Sequence, residues 1–513
     1  MDYKNKTILK FLGHASIYIK TDQVSIVTDP WFSKKGAFLG SWFQFPDNTE
    51  IDFSWKENLD YVCLSHEHED HYDIEFLKSL NNSVKIIIPN YGDDVFYDEI
   101  SELLDNEIIK LDSRQKLELG DVTYCPIIQS VPGWDDAALI FETPNGVIAN
   151  INDMKLTEPD LNFIKTNFKI KYLFKQFSGA SWYPMVYPYT VEEKNNISKK
   201  SIINKFNTFI NVCKELDSDY NFPTAGPPCF LEDNLIFLNT VSYTRFPDQS
   251  DFYKYSIGQE YTNIDILLPG DSFNLIDLKA QTNSNLKNEC FTDKSQYLKS
   301  YKNKRINELK FHENHLSNPT YSLLNKCEIH FNPLIKGSRF FRNKIDTKIL
   351  LTLIGDNSSE KIIIDFTNNK NCVYHYTNEL YTYNFSFESK YAELIFDGKL
   401  QWEELFLSIK FKASRNPDKH NEFLMIFLKY ANLKSFKNYQ RFFNSKMKND
   451  TFELKKDGQI YEVQRYCPHA FGDLSKGTVD GDNIYCPLHN WCFSLTDGKG
   501  IDNLLKINIK KKE

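Results

Sequence analysis

The stretch CPHAFGDLSKGTVDGDNIYCPLHNWCF, residues 467–493, constrains this chain more than any other. It sets a Cys-x-His pair, Cys467 and His469, sixteen residues ahead of a Cys-x-x-His pair, Cys486 and His489. A proline follows each cysteine and Gly472, Gly477 and Gly481 lie between, so turns rather than helix interiors carry both pairs. Zinc modules usually join C-x2-C to H-x3–5-H or to a second C-x2-C, and this spacing does neither. The other cysteines, Cys63, Cys125, Cys213, Cys229, Cys290, Cys327, Cys372 and Cys492, are scattered. No secretory signal precedes them, so they read as free thiols rather than a disulfide framework.

Two thiolates suit one iron of a [2Fe–2S] cluster and two imidazoles the other, a ligation that raises the potential above that of an all-cysteine cluster. On these residues, and on the WCFSLTDGKG turn beyond them, the segment resembles the Rieske domain family. The resemblance implies a small β-fold over residues 446–513, with His469 or His489 exposed at its tip as the exit for an electron. Cys492 has no partner in the first loop, so the type is that of soluble oxygenases or ferredoxins. Such a cluster stores one electron and does no bond chemistry, which calls for a metal-bearing client.

Residues 59–73, LDYVCLSHEHEDHYD, supply one. LDYVCLS is an apolar, β-branched run suited to a buried strand, and the helix-like IEFLKSL follows. Between them His66, His68, Asp70 and His71 fall within six positions; alternation puts His66 and His68 on one side, and the turn returns Asp70 and His71 toward them. HxHxDH resembles the metallo-β-lactamase fold, an αββα sandwich with its metal site at the sheet edge. GHASIYI (13–19), SIVTDPWF (25–32), VTYCPIIQS (122–130) and ALIFETPNGVIANINDM (138–154) follow that order. Asp153 matches the bridging aspartate, whereas Gln129 stands where a third histidine is expected. His66, His68 and Asp153 then make a two-histidine, one-carboxylate set fit for Fe(II), and Asp70 with His71 suits a second metal, so the iron is mononuclear or dinuclear. His14 and Asp29 are expected to stand behind the ligands. His312, His315, His330, His375 and His420 have no context that marks them as ligands.

A metallo-β-lactamase-like module and a Rieske module on one chain resemble the CMP-N-acetylneuraminate hydroxylase family, through residues 8–275 and the C-terminal end. FKQFSGASWYPMVY (174–187) and YNFPTAGPPCFLED (220–233) look like that family's loops. By that resemblance Ser178, Gly179, Ser181, Trp182 and Tyr183, with Ala225, Gly226 and Pro227, line a substrate pocket. It implies a monooxygenase that inserts one atom of O2 into a small polar substrate such as an amino sugar or nucleotide sugar; without a nucleotide-recognition motif, an amine is the other option. The family places its Rieske module first, and here it comes last. No G-x-G-x-x-G or P-loop is present, so an external reductase, ferredoxin or cytochrome b5-like protein must donate the electrons.

The expected architecture is α/β over residues 1–275, a polar helical connector over 276–324, an α+β domain over 325–445 that resembles sterol-carrier-like folds, and the all-β Rieske end. A net charge of −8 without a basic cluster argues against nucleic acid, and no apolar run reaches the ~18 residues of a membrane span. A cytoplasmic enzyme, possible as a homo-oligomer, is expected. The rival is a zinc hydrolase that activates water, with the Rieske module as a redox sensor.

Overall fold

Period-two alternation decides which face each strand of the N-terminal half turns inward. In this computed structural model, residues 6–92, 94–129, 135–179, 181–275, 279–281, 284–447, 450–488 and 490–512 are described. Strands β1 (Ile8–Gly13), β2 (Ser16–Lys20), β3 (Ser25–Thr28), β4 (Tyr61–Cys63), β5 (Lys85–Pro89) and β6 (Ile108–Leu111) form one sheet. Strands β7 (Leu117–Leu119), β8 (Val122–Ile128), β9 (Ala137–Thr143), β10 (Gly146–Asn152), β11 (Ile170–Gln176) and β12 (Tyr220–Thr224) form the second, while β13 (Ser272–Asn274) and β14 (Lys279–Gln281) extend the first beyond β1. Ile17, Ile19, Ile26, Cys63 and Ile87 face Tyr124, Leu139, Phe141, Tyr172 and Phe174 across the interior. The intervening residues turn outward under helices: Val27, Val62 and Ile86 against Phe76, Leu77 and Ile100 on one side, Ile140, Ala149 and Leu173 against Ile164, Phe206 and Phe209 on the other. This is the αββα metallo-β-lactamase-like sandwich.

Strands β3 to β6 run parallel, as do β10 to β12, so their C-terminal ends gather Asp29, Ser65, Asp153, Ser178 and Ala225 at sheet edges. Asn150 ties the sheets together there, its Nδ2 donating to Ala15 O (2.9 Å) and Thr28 Oγ1 (3.0 Å). Within the stretch expected as a connector, helices Lys294–Lys304 and Ile306–Asn314 bury Leu298, Tyr301 and Leu309 among Phe43, Phe45 and Leu231. Arg305, buried between the two helices, donates to both carboxylate oxygens of Asp47 at 2.9 and 3.0 Å. This packing places residues up to 315 in the first compact unit.

The second unit takes in residues 316–513 and 186–188. Helices Leu324–Gly337 and Arg339–Ile345 precede β15 (Lys348–Ile354), β16 (Ser359–Asp365), β17 (Val373–His375), β18 (Tyr383–Glu388) and β19 (Phe411–Arg415), a sheet ordered β17-β16-β15-β18-β19. Helices Glu422–Tyr430 and Leu433–Lys446 close it, Phe427 stacking on Phe436 at 4.8 Å. Two small sheets follow, one of β20 (Thr451–Lys456), β21 (Gln459–Gln464) and a last strand, the other of β22 (Thr478–Asp480), β23 (Asn483–Tyr485) and β24 (Cys492–Ser494); the last strand is β25 (Ile509–Lys512). Among the described residues no helix is long and apolar enough to cross a membrane.

Phe141 is wholly buried between the sheets and stacks on Tyr124 at 5.1 Å. Phe141→Ala should cost about 3–5 kcal/mol, read as an earlier unfolding transition in a denaturant titration, and a loss under 1 kcal/mol would deny the inter-sheet core that role.

Candidate metal centres

Asp29 follows β3 with φ +38° and is wholly buried. Its carboxylate accepts from Ser65 N (2.7 Å) and Ser65 Oγ (2.8 Å), and His71 Nδ1 lies 3.2 Å from Oδ2. Ser65 Oγ in turn lies 2.9 Å from His66 Nδ1. The chain after β4 turns where His71 N donates to His68 O (2.8 Å), and Asp73 then caps helix Ile74–Lys78 while accepting from Phe32 N (2.8 Å). The HEHEDH loop is thus pinned at both ends to the segment after β3.

The loop brings its ligands together. His71 Nε2 stands 3.8 Å from Asp70 Oδ2 and 3.7 Å from Asp153 Oδ1 at the end of β10. His14 Nε2 lies 3.0 Å from Asp70 Oδ2, and His66 Nε2 lies 3.0 Å from His68 Nδ1. Two sets, His14–Asp70–His71 and His66–His71–Asp153, each have their ligand atoms within 4.8 Å of one another, with His71 common to both. His14, expected behind the ligands, therefore stands among them, its ring edge-on to Trp31 at 4.9 Å. Asp29 holds the supporting place. Gln129 follows β8, buried, with an Oε1 that takes no hydrogen bond; among the described residues no hydrogen bond joins its side chain to the histidines. Asp136, which sequence reasoning missed, lies 3.4 Å from His66 Nδ1.

Burial opposes charge on His71, yet the carboxylates of Asp70, Asp29 and Asp153 outweigh it and raise the imidazole to about 10. Burial likewise opposes charge on Asp70, but His71, His14 and His68 hold its carboxyl well below the usual range. An excess of carboxylate around one imidazole is a field that favours a cation, and a metal would take the proton's place. The buried His71 Nε2 and Asp153 Oδ1 make no hydrogen bond to protein. Their 3.7 Å separation is that of two ligand atoms on one ion with bonds of about 2 Å, so the residues fit a metal.

At the other end of the chain, Cys467 N donates to Gly472 O (2.9 Å), Cys486 N to Trp491 O (2.8 Å) and Asn490 N to Cys486 O (2.8 Å). Both thiols are buried; burial first, then the neighbouring Cys486 thiol, push the Cys467 thiol well up, and the His469 N–H donated to it pulls the other way. A Cβ on Gly472 would lie 2.7 Å from Cys486 Sγ, so glycine keeps open the space beside that sulfur. Two buried sulfurs with room beside them fit a cluster. His489 lies outside the described residues.

Three family models match: "Beta-lactamase superfamily domain" over residues 8–150, "Rv3818-like, SCP2-like domain" over 323–445 and "Rieske [2Fe-2S] domain" over 429–506. The chain joins a metallo-β-lactamase-fold domain to a C-terminal Rieske domain. It is 27% identical over 514 residues, 95% of this chain and 96% of the relative, to Rieske 2Fe-2S iron-sulfur proteins of Mycolicibacterium smegmatis and of Mycobacterium tuberculosis. It is 50% identical over 42 residues, 8% of this chain and 11% of the relative, to the oxygenase component of 3-ketosteroid-9-alpha-monooxygenase from Mycolicibacterium smegmatis. Similar solved structures include the metallo hydrolase Igni18 of Ignicoccus hospitalis (14% identity, 52% of this chain and 97% of that one, TM-score 0.35) and the diiron β-hydroxylase CmlA of Streptomyces venezuelae (13%, 52% and 53%, TM-score 0.36).

The Rieske domain does not offer His469 to solvent. The ring is buried, stacks on Trp491 at 4.1 Å, and has its Nε2 3.6 Å from Glu422 Oε2 on the SCP2-like domain. Asn421 caps that helix and so fixes Glu422 in its first turn. Glu422 Oε2 also meets His420 Nε2 at 2.9 Å, and His420 N donates to Asp502 O (3.0 Å), binding the SCP2-like loop to the Rieske loop. An exposed exit at His469 is excluded by this seal, and His420 has the context that its sequence neighbourhood did not show.

In the metallo-β-lactamase domain, Ala225 N donates to His14 O (2.8 Å), so the loop after β12 rests on the histidine cluster. Gly226, at φ +136°, would set a Cβ 2.9 Å from Ser178 Cβ, and Ser178 Oγ donates to Pro247 O (3.1 Å). Ser178 and Gly226 thus fix loop packing. Ser181, Trp182 and Tyr183 are half-buried, with Tyr183 O accepting from Arg245 Nη1 (2.9 Å).

Asp29 belongs to neither ligand set, so Asp29→Asn should lower bound metal about 10- to 100-fold in affinity, measured by chelator competition; unchanged affinity would show that His71 needs no support. Gly472→Ala should purify without the visible absorbance of a [2Fe–2S] cluster while keeping the metal of the other site.

Proposed function

We propose that the protein is an iron-dependent Rieske-linked monooxygenase that hydroxylates a small polar molecule at carbon or nitrogen. One observation carries the reading: a one-electron centre shares a chain with a histidine–carboxylate site fit for a metal. Zinc has no use for electrons, so a chain that carries its own one-electron store is best served by iron at the N-terminal site. The 42 residues shared at 50% identity with a relative named as an oxygenase component support the same class, and the ketosteroid in that name is not carried over. The overall reaction consumes O2, two electrons and two protons, releases water and converts a C–H or N–H bond into C–OH or N–OH. When bound, iron supplies oxygen activation and the cluster delivers electrons one at a time.

The protein's own residues do the rest. His14, Asp70, His71, His66 and Asp153 would hold one or two irons, with His68 and Gln129 as further donors. Asp29 and Ser65 orient the imidazoles of His71 and His66, and Trp31 shields the His14 side. Cys467, Cys486, His469 and His489 would hold the cluster, with Glu422 and Trp491 fixing the His469 ring. An external reductase, ferredoxin or cytochrome b5-like protein would supply the electrons. The CMP-N-acetylneuraminate hydroxylase resemblance suggests an amino sugar or nucleotide sugar, and an amine is the alternative.

Metal analysis tests this directly. The oxygenase should hold more than two irons per chain and consume O2 only when reductant is supplied, and His71→Ala should abolish the uptake while the cluster spectrum persists. Two irons plus zinc, with no O2 uptake, would establish the hydrolase reading instead.

A further inference from the structure

Three cations stand close behind the candidate iron site. Lys175 lies in β11, in register with Asn152, and its Nζ reaches Met154 O at 3.4 Å, so it contacts the chain on both sides of Asp153. Lys205, from helix Val191–Leu216, donates to Gln176 Oε1 (3.1 Å) at the end of β11 and to Ser178 O (2.7 Å) just beyond it. Arg245 donates through Nη1 to Tyr183 O (2.9 Å), and its carbonyl lies 2.5 Å from where a Cβ on Gly179 would stand. Lys175 and Arg245 are more than nine-tenths buried.

None of the three forms an ion pair among the described residues. Burial, then the charges of Lys155 and Arg245, pull the Lys205 ammonium down to about 7, and burial pulls Lys175 down to about 8; Asp153 opposes both. Asp153 is itself a candidate ligand, and a metal there would draw off its charge. Buried cations without a counter-charge are costly to keep, and a protein that keeps two of them, together with the half-buried Lys205, has a use for them. A guanidinium offers five N–H donors and each ammonium three, of which the loop carbonyls use only part. Parallel N–H donors on a charged fork suit the paired oxygens of a carboxylate or a phosphate.

We propose that the substrate carries an anionic group, a carboxylate or a phosphate, and that Lys175, Lys205 and Arg245 bind it beside Asp153. This rests on the oxygenase reading for what happens to the substrate, though anion binding itself is independent of the metal's identity. The anion would lie behind the metal site and leave the rest of the substrate facing it.

Calorimetric titration of the full-length protein with inorganic phosphate and with acetate, at ionic strength matched by chloride, tests this. Saturable binding of phosphate assigns a phosphate-bearing substrate, and saturable binding of acetate alone assigns a carboxylate. Lys205→Met and Arg245→Gln should each weaken binding about tenfold or more, while Lys205→Arg, which keeps the charge, should retain most of it. Wild-type protein that binds neither anion overturns the proposal without reference to any variant. Binding left unchanged in both charge-removing variants overturns it as well. Anion binding by a protein that holds zinc and takes up no O2 would sink the oxygenase reading and leave this site standing.

Discussion

The carboxylate of Asp29 holds the N-terminal site in shape. A wholly buried carboxylate is expensive unless donors surround it, and Asp29 draws its donors from Ser65 and His71 on the loop that carries the histidines. Burial raises its pKa, and the hydrogen bonds and charge of His71 and the donors of Ser65 offset that only in part. The surrounding backbone is strained in the same place: His14 (φ +52°), Asp29 (φ +38°), Asn152 (φ +51°) and Ala225 (φ +50°) are left-handed without being glycine. Each such residue costs roughly 1–2 kcal/mol, and their convergence on one site marks where the fold spends stability on function. Two sheets joined by Asn150 make that expenditure sustainable, because the strand ends that carry the strained residues cannot relax independently.

The second unit solves a different problem. A small β-domain with two metal-binding loops has little core of its own, and its loops need an external wall. The SCP2-like domain supplies one: His420 pairs with the 502–504 loop through its backbone, and Glu422 and Trp491 enclose the His469 ring. A cluster ligand so enclosed keeps one orientation, and water is kept from one side of the site. The α+β domain that resembles sterol carriers in sequence is thus packed directly on the Rieske loops.

The legible parts of the molecule were those encoded over short spans. HEHEDH and the two Cys/His pairs are local, β4 lies in a short apolar run, and β1 to β3 and β8 to β10 fall in the segments that follow the metallo-β-lactamase order. What escaped was contact between distant segments. His14 meets Asp70 across 56 positions, Asp136 meets His66 from beyond β8, and Glu422 meets His469 from another domain. Asp136 and Glu422 carry no sequence signal of their own, since a lone aspartate or glutamate after a strand or at a helix start is ordinary capping chemistry. The polar stretch at 294–314 looked solvated because lysines outnumber the three apolar residues that pack it onto Phe43 and Phe45. Gly226, expected to line a pocket, sits instead at a positive φ where Ser178 approaches closely.

The distribution of charge around the N-terminal site gives the pieces a common logic. Carboxylates from β3, the HEHEDH loop and β10 converge on His71, and the cations of Lys175, Lys205 and Arg245 stand one layer behind, around Asp153 and the loop after β11. Were these layers to meet, Lys175 and Asp153 would simply pair, and the site would lose both a metal ligand and an anion anchor. Lys175 is instead fastened to the Met154 carbonyl, so the strand end itself keeps cation and carboxylate apart. A metal bound by Asp153 would draw off the negative charge that favours the lysines' charged form. Metal binding and anion binding at the proposed site would then be coupled through one carboxylate, each changing the other's affinity by the same factor.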